Sequence, residues 1–251
     1  MNPSMAGIRS LRNIRMSPVG HQISFYGDGI HYLRRTKLKG KLIVIEGPDG
    51  SGRSSQVELI KDKLESDGHA VTTTGLKRSE LIGAGVLAAK QKLPVGQKTL
   101  ALFYAADFAD RLEHHIIPSL EAGSIVIADR YIYTLIARSV VRGINRKWTN
   151  DLFGFAIVPD QIFYLDVSPD KLFHRIFQKY SALDYYEAGA DMGLAEDLFD
   201  SFIIYQRRMA QEFKRMEKLY GLIPVDANRT IPEVNKDLQG RISSYLDASK
   251  V

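Results

Sequence analysis

Five short runs of apolar and β-branched residues recur along the chain: Leu42–Glu46, Ala70–Thr74, Ile125–Asp129, Ile162–Asp166 and Leu222–Asp226. Each has the length and composition of a buried strand. Between them lie segments whose apolar positions repeat at helical spacing, 54–66, about 79–92, 97–122, 132–142, 169–180, 194–220 and 231–248. Strands alternating with helices predict a parallel five-stranded sheet covered on both faces, an α/β fold. Three of the strands end in an aspartate, Asp129, Asp166 and Asp226. That places carboxylates at the carboxyl edge of the sheet, where ligands of open α/β sheets bind. The stretch Ser181–Met192, with Tyr185, Tyr186 and Gly189, predicts a mobile loop between two helices.

Between the first strand and the first helix stands Gly47-Pro48-Asp49-Gly50-Ser51-Gly52-Arg53-Ser54-Ser55. A strand, a glycine-rich loop and a helix in this order make a phosphate-binding P-loop. Successive backbone N–H groups line one concavity, glycines let the chain approach phosphate closely, and the helix that follows adds the positive end of its dipole. The loop therefore predicts binding of a nucleoside triphosphate, with Ser54 placing a hydroxyl on Mg²⁺. One position departs from the pattern: Arg53 stands where a lysine is usual. Arginine keeps the charge but carries it on a longer, planar, forked group, so the exchange is not conservative at a tight site.

Composition narrows the reading. The 251 residues, 45% hydrophobic and 25% charged, suit one α/β domain with a substantial core. There is no cysteine, hence no disulfide, thiolate metal site or thiol nucleophile. No apolar run has the ~18 residues of a membrane span. These features suggest a cytoplasmic protein with no membrane partner. The net charge of +5 is uneven. Residues 1–40 hold Arg9, Arg12, Arg15, Arg34, Arg35, Lys37 and Lys39 against Asp28, so the remainder is close to neutral. That argues against a nucleic-acid-binding face on the domain. The expected organisation is a basic N-terminal extension, 1–40, followed by a P-loop domain, 41–251. Residues 1–20 lack acids and suit an organelle transit peptide, a basic tail or a docked helix. Ser24–Ile30, with Gly27 and Gly29, reads as a hairpin packed on the domain edge or on a second subunit.

Other charged groups suggest little chemistry. His114–His115 lies beside Glu113 with no partner one turn away and reads as a solvated helix face rather than a metal site. Trp148, with Arg146 and Lys147, reads as an anchor for the next helix.

Several segments together resemble the thymidylate kinase family: Glu46–Gln56, Leu102-Phe103-Tyr104-Ala105-Ala106-Asp107, Ile117-Pro118-Ser119-Leu120, Asp129-Arg130-Tyr131, Leu165-Asp166-Val167-Ser168-Pro169 with Arg175-Ile176, and Val225-Asp226-Ala227. The resemblance covers about 41 to 245. It implies a Mg²⁺- and ATP-dependent nucleoside monophosphate kinase, usually a homodimer, that moves the γ-phosphoryl of ATP onto dTMP. By this resemblance Gly47, Pro48, Asp49, Gly50, Ser51, Gly52, Arg53, Ser54 and Ser55 would hold the ATP phosphates and Arg175 would lie over the adenine. Ser54 and Asp129 would serve the metal. Asp49, Arg53, Asp129 and Arg130 would carry the catalysis, Arg130 clamping the acceptor phosphate and Asp49 orienting the acceptor. Tyr104 would stack on the acceptor base and Tyr131 would pack beside its sugar.

The chain also departs from that pattern. Phe108 occupies the position of the arginine that reads thymine, and Ser139, with Arg138 beside it, that of a glutamine. Phe108 and Arg138 are accordingly expected at the substrate. The phosphate-gripping arginine after the second strand corresponds to about Thr74, with Lys77 and Arg78 close behind. The two positions from which the family supplies a catalytic arginine are Gly50 and Tyr185. The sequence thus leaves open dTMP, another acceptor served by Arg138, Arg142 or Arg111, and nucleotide binding without efficient turnover.

Overall fold

The structure is a computed structural model and describes residues 21–33, 37–86, 95–180 and 183–248. The expectations for residues 1–20 and for the chain between 87 and 94 lie outside the described residues.

Five parallel strands form the central sheet: β3 (Lys41–Glu46), β4 (Val71–Gly75), β5 (Ile125–Asp129), β6 (Gln161–Asp166) and β7 (Ile223–Asp226). Their spatial order is β4-β5-β3-β6-β7. The chain therefore reverses its direction of travel beside β3, and the crevice at its carboxyl end is the expected ligand site. β3 is central because Leu42, Ile43, Val44 and Ile45 are apolar on both faces and all buried. One face packs on α2 (Gln97–Arg111), α4 (Ile132–Val141) and most of α7 (Leu198–Tyr220). The other packs on α1 (Arg53–Ser66), α6 (Pro169–Tyr180) and α8 (Ile231–Ala248). The parallel sheet with helices on both faces is the fold that the hydrophobic pattern predicts.

Local chemistry sets the boundaries. Predicted helix 194–220 begins only at Leu198, because Asp197 accepts from the N–H groups of Phe199 and Asp200 and so caps it there. Gly221 ends it at φ 73°. The predicted helix 97–122 is continuous in path but widens to a π-helical stretch at Leu112–Ile116 before α3 (Ile117–Glu121). Pro118 brings neither an N–H nor room for the carbonyl four residues back, so the regular hydrogen-bond ladder gives way there. Trp148 does not precede a helix but sits inside one, α5 (Arg146–Leu152), capped by Asn145 through the Trp148 N–H at 3.0 Å. Arg146 there pairs with Glu212 and Lys147 with Asp151.

The hairpin expected at Ser24–Ile30 is not formed. Two-residue strands β1 (His21–Gln22) and β2 (Lys37–Leu38) pair antiparallel instead. The intervening Ser24–Gly27 runs against the loop before β6: Tyr26 N–H donates to Ala156, Gly27 N–H to Gly154, and Val158 N–H to Ser24. The side-chain pattern explains the choice. Ile23, Leu33 and Leu38 are buried in the main core, and Tyr26 packs edge-on against Tyr133 and Tyr220. A local hairpin would leave these groups in water.

Candidate active site

The carboxyl ends of β3 and β5 bring together most of the predicted residues. The loop after β3 turns three times through the left-handed region, at Gly47 (φ 153°), Gly50 (79°) and Gly52 (91°). At Gly47 a side chain would also collide with the Ser51 hydroxyl at 2.9 Å. Only glycine combines that backbone with that packing. Gly52 leads directly into α1, so the N-terminus of this helix opens onto the loop.

Arg53 folds back under the loop rather than projecting away. One Nη donates to the carbonyls of Gly47 and Pro48, while Nε donates to Asp129 at 2.9 Å. The other Nη approaches Asp49 at 3.5 Å. Beside it, the Ser54 hydroxyl donates to the second oxygen of Asp129 at 2.9 Å. A hydroxyl and a carboxylate, both hard oxygen donors, fit a Mg²⁺ ion. Burial would raise the Asp129 carboxyl, but Arg53, Arg130 and Ser54 outweigh it and hold it below its ordinary value.

The Asp129-Arg130-Tyr131 turn is fixed from below by Glu46, the last residue of β3. Its carboxylate is fully buried and accepts from the N–H of Tyr131 at 2.8 Å, the N–H of Thr134 at 3.2 Å and the Thr134 hydroxyl. It thus caps α4 from another strand. Burial pushes its carboxyl up, against these hydrogen bonds. Arg130 takes φ 71°, a strained conformation for a non-glycine residue. The strain points its side chain at Asp49. Its Nε is buried and has no hydrogen-bond partner among the described residues.

Asp49 is the centre of the site. Arg130 donates to one oxygen and Arg138 to the other, at 2.8 Å. Burial opposes its charge, yet Arg130, Arg138 and Arg53 hold the carboxyl well below its ordinary value. Glu187 faces the same space, 3.9 Å from Arg138. Burial and the adjacent Asp49 charge push its carboxyl up to about 7. Its folded value exceeds its unfolded one, so its contribution to stability is full below about pH 4.5 and is lost as pH rises through about 7. Glu187→Gln is therefore expected to flatten the fall in melting temperature between those two pH values, and an unchanged slope would contradict this assignment.

A cavity opens from this cluster between α2, α4 and the loop before α7. Tyr104, Arg138, Ser139, Arg142, Gln97 and Tyr186 line it, with apolar walls that include Leu100 and Leu135. Tyr104 and Arg138 stand where a substrate contact was expected. Two expected residues do not. Phe108 is fully buried behind the cavity, edge-on to Tyr131 and packed on Phe153 and Phe155. An apolar ring that replaces a charged fork is drawn into the core. Tyr131 is likewise fully buried, and its hydroxyl donates to the Ile157 carbonyl at 3.0 Å. Arg175 reaches the β7–α8 loop and donates to the carbonyl of Ala227 at 3.1 Å.

Of the two further candidates for substrate contact, Arg111 is committed elsewhere, and Arg142 borders the cavity with its donors already engaged. Arg142 grips Asp191 at 2.8 Å, the Tyr186 carbonyl at 2.6 Å and the Tyr205 hydroxyl at 2.7 Å, tying down the loop before α7. Asp191 also accepts from Gln97 at 2.9 Å. Arg111 pairs with Asp107 inside the protein and donates to Thr74. Asp107 in turn accepts from the N–H groups of Lys77 and Ser79, which shapes the loop after β4. Arg78 is exposed and its side chain lies over Gly75, beside the Asp129 carbonyl. His114, expected to have no partner one turn away, has one in Asp110, at 2.9 Å. Sequence reasoning assigned no role to Glu46, Glu187, Asp107 or Asp191. Glu46 alone carried a signal, an acid closing a buried strand.

The family model of thymidylate kinases matches residues 45–237, from the end of β3 into the last helix. The chain belongs to the thymidylate kinase family. A probable thymidylate kinase 2 of Saccharolobus solfataricus is 37% identical over 84% of this chain and all of its own length. A probable thymidylate kinase of Thermococcus onnurineus is 34% identical over 81% of this chain and 98% of its own. A thymidylate kinase of Shouchella clausii is 29% identical over 84% and 99%. Membership gives the chain the ATP-dependent nucleotide kinase class. Among the described residues no helix is long and apolar enough to cross a membrane.

Proposed function

We propose that this thymidylate kinase family member transfers the γ-phosphoryl of Mg²⁺-bound ATP to dTMP, giving dTDP and ADP. The observation that carries the reading is the convergence, around Asp49, of the glycine loop, the Asp129–Arg130 turn and the cavity beside Tyr104. Donor and acceptor phosphates would meet there. The amides of 47–55 and Arg53 hold the ATP phosphates, and Arg175 borders the adenine. Ser54 and Asp129 hold Mg²⁺, which neutralises phosphate charge when bound. Arg130, with its buried Nε unpaired among the described residues, and Arg78 in the loop after β4 take the acceptor phosphate. Asp49 orients the acceptor, whose base stacks on Tyr104. On the same reading the protein is a homodimer, covering exposed apolar groups such as Leu102 on α2.

A second reading changes only the acceptor. It is favoured by Phe108, which is withdrawn into the core, and by Ser139, a short side chain at the cavity wall. Without an arginine and a glutamine at the base, discrimination weakens or shifts. Calorimetric titration with dTMP, dUMP, dCMP, dGMP and dAMP separates the two. dTMP is expected to bind at least about tenfold more tightly than the others, a difference of about 1.4 kcal/mol. Tighter binding of another monophosphate would support the second reading.

A further inference from the structure

Three guanidinium groups crowd one carboxylate. Arg130 and Arg138 each donate to Asp49, and Arg53 stands 3.5 Å from it. Asp129 balances Arg53. Among the described residues, Asp49 alone faces both Arg130 and Arg138 at hydrogen-bond distance, and Glu187, 3.9 Å from Arg138, loses much of its charge at neutral pH. Asp49, Asp129 and the buried Glu46 offset the three guanidinium charges, but among the described residues the buried Nε of Arg130 lacks a partner. A buried donor left unpaired is costly, so the cluster is fitted to take an oxygen of an added anion.

Arg138 is the member that the phosphate loop does not require. Asp49 is already paired with Arg130, and Arg53 is anchored on the loop carbonyls. Arg138 comes from the last turn of α4. Its guanidinium rests on Asp49, the neighbour of Gly50, and faces Glu187, two residues from Tyr185. Gly50 and Tyr185 are the two positions left without an arginine. Arg138 thus lies between them.

We infer that Arg138 is the arginine that stabilises charge on the transferring phosphoryl group, supplied from α4 in place of the phosphate loop or the segment before α7. In that step an oxygen of the acceptor phosphate forms a bond to the γ-phosphorus. The bond to the bridging oxygen of ADP breaks, and its electron pair leaves with ADP. Charge builds on the oxygens around phosphorus, where a planar fork fixed by Asp49 needs little reorganisation. The inference rests on the kinase reading above.

The test compares wild type with Arg138→Met and Arg138→Lys in the full chain. Steady-state rates are measured, and binding of ADP with dTMP is titrated with and without aluminium fluoride, a mimic of the transferring group. kcat is expected to fall about 10³-fold in Arg138→Met, as for loss of other transition-state arginines, far more than any loss of ATP or dTMP affinity. Free guanidinium should restore part of the rate, and the fluoride-dependent tightening of the wild type should vanish. If Arg138→Met fails to fold, Arg138→Lys, which keeps the charge but not the fork, carries the same test. Variants whose kcat stays within about threefold of wild type, or whose loss is explained by weaker dTMP binding alone, overturn the role of Arg138. A wild type that transfers no phosphoryl group at all overturns the kinase reading as well.

Discussion

Arg53→Ala is expected to lower kcat/KM for ATP by about 10³-fold, while Arg53→Lys keeps it within about tenfold. The asymmetry follows from what the guanidinium does. One Nη fastens it to the Gly47 and Pro48 carbonyls, which sets the charge at the floor of the loop. A lysine ammonium can make those contacts and still face the phosphates. What it cannot reproduce is the simultaneous Nε contact with Asp129 at 2.9 Å. Alanine loses both and leaves Asp129, held below its ordinary value by burial-opposing contacts with Arg53 and Arg130, short of its nearest cation. Initial rates against ATP at saturating acceptor give the answer. Arg53→Ala within tenfold of wild type would mean that the loop amides alone hold the triphosphate.

Glu46→Ala is expected to cost about 3–5 kcal/mol, because it strands the Tyr131 and Thr134 N–H groups in the core and opens a cavity. For a domain of this size that is a fall of roughly 10 °C in melting temperature. The damage should extend to catalysis, since the same carboxylate fixes the turn that strains Arg130 and aims it at Asp49. Glu46→Gln, which keeps an acceptor and removes the cost of burying a charge, should lose about 1 kcal/mol. Thermal melts of both variants, with rates for the survivor, measure this. Equal melting temperatures for Glu46→Ala and wild type would contradict the capping role.

The three inner strands were legible because burial on both faces makes them apolar, and the edge strands β4 and β7 through β-branched residues and their spacing between helices. The five predicted strands differ from the observed ones by one residue at most at either end. The phosphate loop was legible for a different reason: its glycines answer a backbone demand that no other residue meets, as the left-handed turns at Gly50 and Gly52 confirm. Phe108 was misplaced because a family position is not a physical environment. The residue lies on the same face of α2 as Tyr104, one turn further along, where its apolar ring packs on Tyr131, Phe153 and Phe155 rather than reaching the cavity. Residues 24–30 misled in another way. A glycine-rich turn signals a local hairpin, but the energy lies in Ile23 and Tyr26 reaching the core, a long-range gain that local pattern does not carry. Arg138 and Arg142 lie 49 residues from Glu187 and Asp191 respectively, and only the packing of α4 against the loop before α7 shows that the two pairs share one site.

The measurement that bears most directly on the account is phosphoryl transfer itself, followed by phosphorus NMR with Mg²⁺, ATP and dTMP. The account predicts that ADP and dTDP appear in equal amounts, in proportion to enzyme, and only when Mg²⁺ and dTMP are both present. Protein that binds ATP and dTMP yet yields no dTDP at high enzyme concentration would contradict it.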